Sequence, residues 1–272
     1  MRYYVNMKSY LNKFLDELIE NDKAKSTVKK YEQDLKNIFK KTAIQKPKDL
    51  TKEKLRNYFE STTNKVSTKN NHISVINTFL KFHSIGFTIK KYRQQENFFE
   101  PIIDSEYEKF MDYAIKYHKR TAYIVNTFKM TGIRVSELKY LTVESLNNKE
   151  FIVFNKGKTR QVLLSDKIIR LLKEYCRKEQ IKSGRIFINH KGAPLSRSRI
   201  HDNIKYIALK AKLRAEKFHA HTFRHYFAFK YMQTSNNNLV ELKDLLGHEN
   251  INTTAIYAKT HKDDIRKKLN NV

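Results

Sequence analysis

Four short stretches of the chain hold side chains able to grip an anion or move a proton. Thr131-Gly132-Ile133-Arg134-Val135-Ser136-Glu137-Leu138 sets a glycine turn just before an arginine at a helix start. His221-Thr222-Phe223-Arg224-His225 spaces a histidine and an arginine three apart, so both project from one helical face. Leu245-Leu246-Gly247-His248 closes a helical run with a glycine and places a histidine just past it. Tyr257 follows nine residues later. Each stretch alone has a plainer reading: a helix connection, a solvated charged face, a capped helix, a tyrosine in the core. Two other chemistries fit poorly. Gly157-Lys158-Thr159 is the trailing half of a phosphate-binding loop, but Ile152 stands where the leading glycine must fall. His219, His221 and His225 suggest a metal, yet no acidic or cysteine ligand lies at a suitable spacing, so none is expected.

The elements that must position these residues are mostly helical. Met7, Tyr10, Leu11, Phe14, Leu15, Leu18 and Ile19 form one apolar stripe at 3.6-residue spacing. Val28, Tyr31, Leu35, Ile38 and Phe39 form a second after Ser26 and Thr27, either able to cap it. A third, short helix is expected from Thr51 and a fourth from Ser67, which completes a small bundle over residues 1–85. Residues 86–103, with Lys90, Lys91 and Arg93 and no sustained period, read as a linker. Residues 104–272 read as a second domain, opened by a capping box of Ser105 and Glu108. There the period switches to strand around a hairpin, Phe151–Phe154 and Gln161–Leu164, with Ile186–Ile188 as a third strand. Ser165 caps the next helix, and four helical segments starting near Ser196, His221, Leu239 and Asn252 finish the chain. The fold class is therefore mainly α with a small antiparallel β-sheet.

Composition narrows the partners. Of 272 residues 40% are hydrophobic, with 17 Phe, 16 Tyr and only 3 Pro, which excludes a disordered or low-complexity chain. The single Cys176 excludes a disulfide framework and fits a reducing compartment. The apolar runs are only a few residues long and the first six residues lack a signal peptide's apolar stretch, so a cytoplasmic protein, neither secreted nor membrane-spanning, is expected. Lys and Arg number 55 against 28 Asp and Glu, a net +27. The excess is +10 over residues 1–100 and +17 over the remainder, as in a protein that grips a polyanion from two sides. A Lys-rich proteome is the plainer source of that charge.

Taken in order, Arg134, Lys156 in the hairpin, His221 with Arg224, His248 and Tyr257 resemble the active-site set of the tyrosine recombinases, the phage integrase family. The resemblance covers essentially the whole chain. It implies an N-terminal helical, SAM-like core-binding domain (1–85) and an α+β catalytic domain (104–272). It also implies that Tyr257 is the nucleophile, that Arg134, Arg224 and His248 hold the scissile phosphate, that Lys156 lies on the hairpin and that His221 assists. Lys158 is a neighbouring candidate for the hairpin lysine, and Leu163 stands where the family often has proline. With no arm-binding domain expected ahead of residue 1, the architecture is that of the simpler integrases and Xer-type recombinases.

The chemistry explains the residue types. Attack of a tyrosine oxygen on a phosphodiester builds negative charge that two arginines clamp with bidentate, charge-assisted bonds. A phenol needs a proton acceptor, for which His221 is the candidate, and Lys156 can protonate the departing 5′ oxygen. The covalent 3′-phosphotyrosine keeps the bond energy for re-ligation, so no ATP or other cofactor is expected. The expected partner is double-stranded DNA at two sites, gripped by a homotetramer, with accessory DNA-bending or directionality proteins possible. The role expected is that of a mobile-element integrase or excisionase, with Xer-like dimer resolution or DNA inversion as alternatives. A relaxing topoisomerase and a non-catalytic DNA-binding regulator compete. The tail after Tyr257, with Ile265 and Leu269 four apart among Lys and Arg, is expected to dock on a neighbouring protomer.

Overall fold

A computed structural model describes residues 7–93, 100–155, 157–235 and 238–257. Lys156 and the expected docking tail lie outside the described residues. The chain divides into two units, Met1–Phe98 and Phe99–Val272.

Among the described residues the first unit holds four α-helices, α1 (Met7–Glu20), α2 (Lys25–Lys41), α3 (Lys52–Ser61) and α4 (Val66–Phe82). The stripe on α1 buries Met7, Leu11, Phe14 and Leu18, while Ile19 turns out to solvent. Phe79 of α4 is fully buried and meets Phe14 edge-on, with ring centroids 5.3 Å apart. Thr51 caps α3, its hydroxyl accepting from the Lys54 N–H at 3.2 Å. Helix α2 instead starts at Lys25 with Ala24 in the cap position, so neither Ser26 nor Thr27 is its cap.

Part of the expected linker is strapped to this unit. Asn77 of α4 accepts from the Ile89 N–H and donates to the Ile89 carbonyl, both at 2.8 Å. Asn70, two turns earlier on the same face, treats Tyr92 the same way at 2.9 Å. The two amides mimic a strand's hydrogen-bond ladder, and Ile89 joins the first unit's core. Extended backbone needs such partners when it packs on a helix. That is why a segment without helical period is nonetheless ordered.

The second unit runs α5 (Asp104–Tyr117), α6 (Lys119–Thr131), α7 (Val143–Asn148), β1 (Glu150–Asn155), β2 (Lys158–Leu163), α8 (Asp166–Lys178), α9 (Arg197–Lys210), α10 (Ala220–Thr234), α11 (Leu239–Leu246) and α12 (Asn252–Ala255). Helix α6 is its axis, packed by α5, α8, α9 and α10, with Ile124, Val125 and Phe128 buried. Ser105 and Glu108 do not form the expected capping box. The cap position falls two residues earlier, at Ile103, whose N–H donates to Glu106 at 3.0 Å.

The sheet has two antiparallel strands, in register from Glu150 opposite Leu163 to Asn155 opposite Lys158. Phe151, Val153 and Val162 face the core, and Ile152, Phe154 and Leu163 face out. The expected third strand at Ile186–Ile188 reduces to two isolated bridges, Thr142 with Arg185 and Ile188 with Pro194. Asn189 turns the chain back by accepting from the Lys191 and Ala193 N–H groups, and Pro194 has no N–H to extend the pairing. Among the described residues no helix is long and apolar enough to cross a membrane.

Candidate active site

The site is built on the C-terminal end of α11. A helix leaves its last carbonyls without partners, and here three successive ones are taken by three arginines. Leu245 O accepts from Arg160 Nη1 (2.6 Å), Leu246 O from Arg224 Nη2 (2.6 Å) and Gly247 O from Arg134 Nη2 (3.0 Å). Cations also suit the negative end of the helix dipole. The arginines come from separate elements: Arg134 from the loop after α6, Arg160 from β2 and Arg224 from α10. Gly247 closes α11 with φ +63°, and a Cβ there would lie 2.6 Å from Cδ of Arg160. Both its backbone and its surroundings therefore call for glycine.

Glu137 ties the cluster together. Its carboxylate is 1% exposed; Oε1 accepts from Arg134 Nη1 (2.9 Å), while Oε2 accepts from the Arg134 N–H (2.8 Å) and from Arg160 Nη2 (2.7 Å). Arg224 is fully buried and gives its other Nη to Gly132 O at 2.6 Å. Among the described residues its Nε has no partner. Burial, then the charge of Arg134, pulls this guanidinium down to about 9. Burial likewise lowers Arg160, opposed by Glu137.

Three histidines line the cluster. His248 follows Gly247 and pairs through Nδ1 with Oγ1 of the buried Thr254 at 2.9 Å. His221 and His225, one turn apart on α10, set their rings edge to face with centroids 4.3 Å apart. His225 Nδ1 is hydrogen-bonded to the Tyr257 hydroxyl. Burial first, then neighbouring positive groups, pushes His248 down to about 4 and His225 to about 3. His221 stands at the open edge of the site, yet desolvation of its ring and the Arg224 charge lower it to about 4. Tyr257 sits in a small core with Ala228, Met232, Leu242 and Leu246, and burial pushes its phenol up to about 12 against the pull of Arg224.

Arg134, Arg224, His221, His248 and Tyr257 thus gather around one helix end. Lys158, the neighbour of Lys156, forms an exposed pair with Glu249 at 3.3 Å. Glu137, one helical turn after Arg134, is buried and bonded to Arg134 and is not an exposed helix-surface carboxylate. Two participants went unassigned in the sequence. His225 was legible only as a metal ligand, though its i+4 spacing from His221 puts both on one face. Arg160 gave no local signal, because its partners lie 23 and 85 residues away. Among the described residues no group of three or more His, Cys, Asp or Glu is arranged to hold a metal.

Comparison with known proteins identifies the family. Residues 102–264 match the phage integrase family and residues 11–84 its N-terminal SAM-like domain. Tyrosine recombinase XerD of Staphylococcus saprophyticus subsp. saprophyticus is 38% identical over 149 residues, 52% of this chain and 50% of that protein. The chain spans about half the length of the curated relatives it matches. In fold it is similar to the Tn1549 transposon integrase in complex with transposon right end DNA, with a TM-score of 0.75 and 15% identity over 97% of this chain and 99% of that one. It is also similar to the XerH site-specific recombinase bound to difH substrate, with a TM-score of 0.67 and 22% identity over 88% and 79%. With the match extending over more than half its length, the chain belongs to the phage integrase family of tyrosine recombinases.

Proposed function

We propose that this protein is a site-specific DNA recombinase that cuts and rejoins duplex DNA through Tyr257. The observation that carries the reading is the Tyr257 hydroxyl held by His225 beside buried Arg224, whose Nε donor is unclaimed among the described residues. A buried guanidinium donor without a partner is costly, and a phosphate oxygen would satisfy it.

The Tyr257 oxygen attacks phosphorus and the bond from phosphorus to the 5′ oxygen breaks. This leaves a 3′-phosphotyrosyl bond and a 5′ hydroxyl. The tyrosine proton passes to His225, whose Nδ1 already faces it, rather than to His221. In the free protein this transfer is strongly uphill, because His225 is held near 3 and Tyr257 near 12. The phenol becomes strongly acidic only as its oxygen bonds to phosphorus, so the proton passes to His225 as the O–P bond forms and not before it. Arg134 and Arg224 stabilise the charge developing on the non-bridging oxygens. In the tautomer in which the Thr254 hydroxyl donates to Nδ1, His248 carries Nε2–H and can donate it to the phosphate. Lys156 supplies the leaving-group proton, and the reverse reaction with another 5′ hydroxyl completes exchange.

Four strands are cut in an exchange, so the active species is a tetramer on two sites, with the segment after Tyr257 docked between protomers. A mobile-element integrase or excisionase is the role supported by the likeness to the Tn1549 integrase; the identity with XerD favours dimer resolution as the second reading. A plasmid carrying two copies of a site selected from a randomised pool by binding to the protein tests recombination. Resolved or inverted products support it, and relaxation without exchange makes the protein a topoisomerase.

A further inference from the structure

Arg160 is not among the residues the family resemblance assigns, yet its side chain is more deeply buried than that of Arg134, whose side chain is 30% exposed. Arg160 Nη1 reaches Leu245 O and its Nη2 reaches Glu137 Oε2, with the side chain 13% exposed. Glu137, 1% exposed, faces two cations at once, since Arg134 and Arg160 share one carboxylate. A buried carboxylate binds whatever positive charge is nearest.

We propose that Arg160 is a positioning residue that occupies Glu137 and fixes the end of α11, leaving the charge of Arg134 for the scissile phosphate. The inference rests on the function proposed above. Arg134, Arg160 and Arg224 against Glu137 leave a net charge of two. A phosphodiester brings one negative charge, and its five-coordinate transition state brings two on the equatorial oxygens. The cluster therefore matches the transition state better than the ground state, as catalysis requires. Without Arg160 the net falls to one, and Arg134 becomes the sole partner of the buried carboxylate. The Leu245 carbonyl also loses its anchor, and the next two carbonyls in the chain are those that aim Arg224 and Arg134. Gly247 fits the same scheme, because a side chain there would displace Arg160 from its bonds.

The test uses the full chain and a nicked duplex that lets the 5′ fragment diffuse away, its core selected from a randomised pool by binding to the wild-type protein. Arg160→Gln should slow single-turnover adduct formation by about 100-fold, the scale of losing one transition-state donor. DNA affinity should stay within about threefold, one phosphate being a single contact among many. Glu137→Gln combined with Arg160→Gln removes charge and countercharge together and should recover at least about tenfold of that loss. Arg160→Lys, which keeps the charge, should fall between Arg160→Gln and wild type. A purely structural arginine would show no recovery in the double variant.

Arg160→Gln cleaving at the wild-type rate, or a double variant no faster than the single, overturns the proposal. Should Arg160→Gln not fold, the double variant, which buries no unpaired carboxylate, carries the test. Folded, DNA-bound double variant that cleaves about 100-fold slower than wild type then overturns it. A wild-type protein that forms no adduct would remove the function reading. Thermal unfolding of the same variants then decides the positioning: destabilisation by Arg160→Gln that Glu137→Gln reverses supports it, and additive effects refute it.

Discussion

Gly247→Ala tests whether the arginine cluster is packed as tightly as its distances imply. Gly247 has φ +63°, and a non-glycine residue in that region costs roughly 1–2 kcal/mol. The added Cβ would stand 2.6 Å from Cδ and 2.7 Å from Nε of Arg160. Arg160 cannot swing aside freely, because both terminal nitrogens are bonded. Displacing it forfeits a charged hydrogen bond, a further loss of roughly 1.5–3 kcal/mol. Gly184 is the control: its φ is +73°, but nothing lies within 4 Å of a Cβ there. Gly184→Ala should therefore show the backbone cost alone. In a unit of this size about 1 kcal/mol moves the melting temperature by roughly 2–4 °C. Calorimetry on the full chain should place the catalytic-domain transition of Gly247→Ala roughly 3–12 °C below that of Gly184→Ala. Equal shifts would refute the close packing of Arg160 on Gly247.

Other consequences are as direct. His225 and His248 have depressed folded values, so the unfolded chain binds their protons first and stability falls as pH drops from about 6.5 toward 4. At pH 5 each costs on the order of 2 kcal/mol, His221 being left out because solvent screens its open edge; a melting temperature unchanged between pH 7.5 and 5 would contradict this. Asn77→Ala orphans both backbone groups of Ile89, so roughly 1–3 kcal/mol is lost and limited proteolysis should open the chain near residues 86–93. DNA affinity should fall steeply with salt, given the net +27, and a flat salt dependence would remove the phosphate-contact argument.

What was legible in the sequence follows from the range of the forces involved. The α1 stripe announces itself because burial repeats with the helix period, though Ile19 shows that the stripe's edge does not. The hairpin was legible from two apolar runs around a Lys-Gly-Lys-Thr turn, whereas Ile186 and Phe187 are buried without being paired into a strand. Apolar character there reports burial, not backbone pairing. The strap at Ile89 and Tyr92 depends on asparagines 12 and 22 residues earlier, which no local period reveals. In the site, Arg134, Arg224, His221, His248 and Tyr257 were singled out by residue type and order. Arg160, the burial of Glu137 and the pairing of His225 with Tyr257 arise only when β2, α10 and the end of α11 meet.

The central claim is that Tyr257 is the nucleophile, and trapping is its most direct measurement. The full-length protein is incubated with the nicked duplex, digested, and the peptide carrying DNA identified by mass spectrometry. The peptide should contain Tyr257 joined to the 3′ phosphate, and Tyr257→Phe should bind the duplex yet yield no adduct. An adduct on another residue, or one formed by Tyr257→Phe, would contradict the account.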